Sequence, residues 1–235
     1  MRRDTGGQGA GVFKPEEVIV ASGVRPGVKP SDIYEVCNWA LKHSVRHVCI
    51  PSVYLGEAAT LFENTGLKLS TMISFPTGLM PIELKMMEVR LASEHGVEEV
   101  YFYPNLGNYL DSRIVEFESE LSGMAEASQL VGFKNVKPVV EMDMVSEKQL
   151  REVISIFETS GFDTVVVSSG FGLRNMSPEE LRILGAVEQD VMVEAHCRVG
   201  SLRDLRNLVE NRVCKVCTVD YRVVLEEGAE RRLEK

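Results

Sequence analysis

Gly161-Phe162-Asp163-Thr164-Val165-Val166-Val167-Ser168-Ser169-Gly170-Phe171 is the stretch from which the fold can be read. β-Branched residues dominate 163–167, and Gly161 and Gly170 bracket them, which predicts a short buried strand. Ser168-Ser169-Gly170 opens a loop. Ser177-Pro178-Glu179-Glu180 then starts a helix, with serine as cap, proline in the first turn and two acids near the positive end of the dipole. Strand, loop and helix in that order leave backbone N–H groups at the join, where an anion can be held.

The same unit recurs along the chain. Strands are expected over 17–22, 47–51, 68–74, 99–103, 136–142, 163–167, 190–195 and 213–219. Between them lie helical patterns over 31–43, 56–64, 82–95, 112–130 and 147–159, then from 177 and from 202, and a charged helix ends the chain. Alternation of this kind calls for a parallel sheet with crossover helices, and at this length a TIM (β/α)8 barrel of the α/β class fits best. No G-x-G-x-x-G and no P-loop favours a doubly wound nucleotide fold. Residues 1–11 read as a disordered leader and 12–235 as a single domain.

The 235 residues are 44% hydrophobic and 26% charged, ordinary for a globular chain, and the net charge of −9 speaks against nucleic acid or an anionic membrane as partner. The apolar runs are strand-sized, and no apolar signal core follows Met1. Five cysteines, Cys37, Cys49, Cys197, Cys214 and Cys217, form no zinc spacing and suit reduced thiols in the cytoplasm. Cys214 and Cys217, three apart on a strand, are expected on opposite faces.

Several segments, in order, are similar to the deoxyribose-phosphate aldolases: Val48-Cys49-Ile50-Pro51-Ser52, Ile73-Ser74-Phe75-Pro76-Thr77-Gly78, and Glu83 with Lys85. Gly96-Val97-Glu98-Glu99-Val100, Val136-Lys137-Pro138-Val139-Val140-Glu141, the stretch quoted first and Val193-Glu194-Ala195 continue the likeness, which spans most of 18–224. The resemblance independently implies a TIM barrel. It also implies a class I lyase that holds its substrate as a Schiff base and cleaves 2-deoxyribose 5-phosphate to glyceraldehyde 3-phosphate and acetaldehyde, without a cofactor. Homo-oligomers are common in such a family.

Position by position, the resemblance places the Schiff-base lysine at Val166 and its helper lysine at Glu194. The relay aspartate falls at Tyr101, and the strand-one aspartate at Val20. The phosphate-binding glycine pair falls at Cys197-Arg198 and the serine pair at Val219-Asp220, while Gly170 is kept. Valine has no amine to form an iminium, and losing such a nucleophile costs on the order of a million-fold in rate. Glu194 would raise, not lower, the pKa of a nearby lysine. Lys68, Lys137 and Lys215 are expected at the strand beginnings, away from the mouth. Lys42, Lys85 and Lys148 fall on helices, Lys134 precedes a strand, and Lys14 and Lys235 are terminal. Lys29 alone is placed to lean over the mouth.

Other residues offer chemistry of their own. Glu194 and His196 share a strand face, as do Glu141 and Asp143, and together they resemble a carboxylate–histidine metal site. The plainer alternative pairs Glu194 with Arg198 or Arg222 and leaves His196 a hydrogen-bonded rim residue, with no metal bound. Arg25, Arg174, Arg198 and Arg222 follow strand ends and can hold an anion or simply be paired. Ser169, Gly170, His196, Arg198, Asp220 and Arg222 are therefore the candidate pocket. Tyr101, Phe102 and Tyr103 either meet a ligand or fill space that catalytic groups vacated. Cys197, beside His196 in sequence, faces away from it.

These residues lead to one expectation and two rivals: a barrel that has lost the aldol reaction and serves as a binding or scaffold protein, for a protein partner or a phosphosugar; a working lyase using another amine; or a different acid–base reaction through Glu194, His196 and Tyr101.

Overall fold

A computed structural model describes residues 13–97, 99–133, 135–187 and 190–226. The chain enters through one helical turn, α1 (Pro15–Val18), and runs directly into β1 (Ile19–Ser22). Then follow α2 (Pro30–Lys42), β2 (His47–Cys49), α3 (Leu55–Leu61), β3 (Lys68–Ile73), α4 (Ile82–Glu94) and β4 (Glu99–Phe102). Two helices, α5 (Leu106–Leu110) and α6 (Ile114–Leu130), precede β5 (Asn135–Glu141) and α7 (Glu147–Thr159). The last units are β6 (Thr164–Ser168), α8 (Pro178–Gly185), β7 (Met192–His196), α9 (Leu202–Glu210) and β8 (Val213–Thr218).

All strand pairs are parallel, β1 pairs with both β2 and β8, and the sheet closes as β1-β2-β3-β4-β5-β6-β7-β8. The fold is the expected (β/α)8 barrel. Because side chains alternate across a strand, the sheet divides the core in two. Val165, Val167, Val193 and Ala195 face outward into the large cluster that seats the helices. Val20, Cys49, Tyr101, Tyr103, Val139, Val166 and Cys217 face inward and form a second, smaller cluster inside the barrel.

Local chemistry fixes the helix starts. Ser146 and Ser177 each form a reciprocal capping box, with Gln149 and Glu180 respectively. The start of α2 differs from expectation: Lys29 is the cap residue, Pro30 the first helical residue, and Asp32 accepts the Lys29 N–H at 3.1 Å. Residues 17 and 18, expected in the first strand, belong to α1, because Pro15 opens a helical turn there. The helix expected over 112–130 is α6, and a further short helix, α5, precedes it, set apart by Ser112, which is left-handed at φ 59°. The leader at 1–11, Glu98, Lys134 and the chain beyond 226 lie outside the described residues, with only 221–226 of the expected final helix seen as helical.

Candidate functional site

Strand register stacks the inward residues in rows. Glu141, Ser168, His196 and Cys217 are successive partners across β5, β6, β7 and β8 near the C-terminal strand ends. One step lower, Val139, Val166, Glu194 and Lys215 are partners in the same way. Active sites of this fold lie at the C-terminal ends, so the upper row and its loops form the candidate site, with the lower row as its floor.

Val166 is fully buried among the apolar inward residues, with Val20, Val139 and Tyr101 in the same cluster. Below it, Lys137 reaches in from β5 and donates to Glu99 Oε2 at 2.6 Å and Glu194 Oε1 at 2.8 Å, all three side chains being about nine-tenths buried or more. Lys215 and His47 complete the cluster, 3.7 and 3.5 Å from the Glu99 carboxylate. Burial works to discharge the Lys137 ammonium, but Glu194 and Glu99 outweigh it and hold its pKa above the ordinary value. Burial likewise works to protonate Glu99, yet His47 and Lys137 prevail, so its carboxyl stays ionised to lower pH than usual. Tyr101 donates to Glu99 Oε1 at 3.3 Å, and its face lies 5.4 Å from the Lys137 ammonium. Burial, then the Glu194 charge, keeps the Tyr101 phenol protonated.

His196 sits above this floor with 2% of its surface exposed. Its Nδ1 shares a 3.2 Å hydrogen bond with the Tyr103 hydroxyl, and its ring packs edge to face with Tyr101 at 4.4 Å. Burial, helped by the Lys137 charge, lowers its pKa to about 3, so the imidazole is neutral at physiological pH. Its Nε2 and the Oγ of its register partner Ser168 are both buried with no hydrogen-bond partner.

The loops above are rich in internal ion pairs. Glu141 accepts the N–H groups of Gly170 at 2.8 Å and Phe171 at 2.9 Å, and Asp143 accepts the Gly170 N–H at 2.9 Å. The donors expected to receive an anion after β6 are thus occupied by the chain's own carboxylates. Gly170, Phe171 and Gly172 are all left-handed, at φ 57°, 53° and 77°. For the phenylalanine this conformation costs roughly 1–2 kcal/mol. Asp220 takes the corresponding role after β7: it binds the Arg198 guanidinium with both oxygens and accepts the Val199 N–H at 3.1 Å. Arg174 is held by Asp143 and Glu180, Arg222 by Glu35 at 2.7 Å, and Arg25 by Asp32 at 2.9 Å. Each of the four arginines therefore already has a carboxylate.

The Phe75-Pro76-Thr77-Gly78 loop closes another side of the mouth. Gly78 is left-handed, and a Cβ there would come within 2.2 Å of the Pro104 carbonyl, so only glycine fits. Lys85, fully buried on α4, bonds the carbonyls of Gly78 and Tyr103 and pairs with Glu120, tying this loop to the end of β4. Phe75 is thereby set edge-on to Tyr103, with ring centroids 5.2 Å apart. The mouth holds a cavity of about 180 Å³ lined by His196, Cys217, Phe75, Phe171 and Val219 among others, and not by Lys137 or Glu194. Beside it, a more polar cavity of about 280 Å³ is lined by Arg25, Asp32, Glu35 and Arg222 among others.

The structure brings together His196, Tyr103, Ser168 and Glu141, and separates several residues expected to act together. Glu194 pairs with Lys137 rather than with Arg198 or Arg222, because the lysine stem rises from the barrel floor whereas both arginines follow strand ends and meet Asp220 and Glu35. His196 is an interior group, not a rim residue. Glu141 and Asp143 turn to the loop after β6, away from Glu194, and among the described residues no three of His, Cys, Asp and Glu are grouped to hold a metal. Lys29 does not line the cavity, but Arg25 does. Ser169 uses its N–H on the His196 carbonyl at 3.0 Å. Cys197 is buried in the outer cluster while His196 faces in, and Cys214 is exposed while Cys217 is buried, as the strand alternation predicts. Lys137 is the interior charge that strand position alone concealed. The period-two match of Lys137 with Val139 and Glu141, all on one face of β5, was the available signal.

A closed parallel barrel with its polar groups at the C-terminal mouth defines a protein of TIM-barrel architecture. No family model matches the chain. In sequence it is 29% identical over 188 residues to the deoxyribose-phosphate aldolase of Desulfitobacterium hafniense, covering 80% of this chain and 86% of that one. It is 24% identical over 188 residues to the enzyme of Mycoplasmopsis pulmonis, covering 80% and 84%. In structure it superposes on the tetrameric deoxyribose phosphate aldolase of Aeropyrum pernix with a TM-score of 0.82 at 23% identity, covering 93% of both chains. Over about four-fifths of its length the chain is thus similar to deoxyribose-phosphate aldolases. Among the described residues no helix is long and apolar enough to cross a membrane.

Proposed function

We propose that this chain is a deoxyribose-phosphate aldolase homologue that has lost Schiff-base lyase chemistry and keeps its barrel to bind rather than to turn over a ligand. The carrying observation is the surroundings of Val166: a fully buried valine in an apolar cluster, with Glu194 as its register partner on β7. A Schiff base needs a neutral, reachable amine. Lys137 is an amine inside the barrel, and it is the one observation that favours the rival reading of an active lyase. Two carboxylates hold it charged, however, and the mouth cavity is not lined by it.

The loops support the same reading, since Glu141, Asp143 and Asp220 occupy backbone donors that a substrate phosphate would require. The outer face of α4 exposes Leu84, Met87 and Leu91 at helical spacing, which supports self-association of this chain. The deciding test is reductive trapping. The protein is incubated with 2-deoxyribose 5-phosphate, reduced with borohydride and weighed intact beside the Desulfitobacterium hafniense enzyme. No mass increase is expected where the control is labelled. An adduct mapped to Lys137 would establish the active-lyase reading instead.

A further inference from the structure

The mouth cavity is walled largely by apolar groups, among them Met72, Phe75, Phe171 and Val219. Arg25 is the charged residue in its lining, and it is already paired with Asp32. Small-molecule sites of this kind combine apolar walls with a few placed polar groups. Here those groups are uncharged. Thr218 is 1% exposed and accepts the Asp220 N–H at 3.2 Å, which leaves its own O–H to donate. His196 is also in the lining, and its Nε2 lacks a hydrogen-bond partner. A buried polar atom without a partner is uncommon in a folded protein and marks a place where another molecule can complete the hydrogen bonding.

Size narrows the class further. A cavity of about 150 Å³ accommodates benzene, and this one is about 180 Å³. A phosphate ester would bring two negative charges to a mouth where Arg25, Arg174, Arg198 and Arg222 are all committed to carboxylates. We infer that the cavity binds a compact, uncharged, largely apolar molecule bearing a hydrogen-bonding oxygen, a small cyclic ketone or alcohol in size and polarity, and excludes phosphorylated compounds. This inference rests on the non-catalytic reading above and assigns that site its ligand class.

The test uses the full chain and cyclohexanone, whose carbonyl reports binding and covalent capture separately. Ligand-observed saturation-transfer NMR is expected to show binding that equimolar inorganic phosphate or 2-deoxyribose 5-phosphate does not displace. Val219→Trp, which fills the cavity from its wall, should reduce the transfer several-fold. Leu173→Trp, at an exposed rim position, should do the same if the first variant folds poorly. Absence of transfer, transfer indifferent to both substitutions, or displacement by phosphate would each overturn the ligand class while leaving the non-catalytic reading intact. A borohydride-stable mass adduct with cyclohexanone would overturn the non-catalytic reading itself.

Discussion

Lys137 Nζ stands 2.8 Å from Glu194 Oε1 inside the barrel, and Glu194 is the β7 register partner of Val166. The ammonium comes from β5, low in the barrel, and is held by two carboxylates, while the position on β6 where the family resemblance puts the nucleophile is hydrocarbon. Such a cluster holds its charges in place and leaves no neutral amine.

Removing the cation should expose how much the fold depends on it. Lys137→Met leaves Glu99 and Glu194 buried with their shared partner gone. Breaking a buried ion pair from one side costs about 3–5 kcal/mol. The urea midpoint should drop accordingly with little change in slope. Glu194→Gln keeps a hydrogen-bond acceptor beside Lys137 and leaves Glu99 to balance it, so its loss should be clearly smaller. Equal losses would mean that the cluster acts through packing rather than charge.

Much of this arrangement was legible in the sequence, and the failures have physical causes. The strands could be read because β-branched runs such as 164–167 recur between capped helices, and Ser146 and Ser177 announce their helices through side-chain chemistry that depends only on neighbours. That position 166 is hydrocarbon was equally visible, being a statement about one residue. Ion pairs were not. Which carboxylate meets Arg198, Arg222 or Lys137 depends on the height of each Cα along the barrel and on the reach of a flexible stem, and neither is written in local sequence. The same holds for Asp220, whose role as a built-in anion emerges only when β7 and β8 lie side by side.

Restoring the lysine should not restore the chemistry. Val166→Lys would place an ammonium beside Glu194, which favours the charged form, in a space already filled by Val20, Val139 and Tyr101. Overpacking alone costs about 1–3 kcal/mol. The variant is expected to melt lower than the wild type and to give no borohydride adduct with 2-deoxyribose 5-phosphate. Stoichiometric labelling would show that valine, and not its carboxylate neighbour, is the whole obstacle.

Acid should weaken the fold partly through His196. Its pKa falls from 6.5 to about 3 on folding, so between those values the unfolded chain binds a proton that the folded chain does not. Stability is therefore unaffected by this group above pH 6.5 and declines as pH falls toward 3, by about 1.4 kcal/mol per pH unit for a single proton. Glu99, with its lowered pKa, adds to the loss at the acid end, since its contribution is present above the ordinary carboxylate pKa and fades as pH falls through the folded value. His196→Gln cannot titrate, so its denaturation midpoint should vary less between pH 6.5 and 4.5 than that of the wild type. Parallel pH profiles would assign the slope to other groups.

Asp220 engages Arg198 through both oxygens and takes the Val199 N–H, and its side chain is 12% exposed. Hydrogen bonds to a charged group contribute about 1.5–3 kcal/mol, and partial exposure of Arg198 places the loss in Asp220→Ala toward the lower end of that range. The same substitution frees a guanidinium and a backbone donor aimed at one point, the usual elements of a phosphate site. Inorganic phosphate should then raise the melting temperature of Asp220→Ala and leave the wild type unchanged, because a ligand stabilises only the form that binds it. Phosphate stabilising the wild type equally would mean that the native mouth already holds an anion, and that Asp220 does not occupy its place.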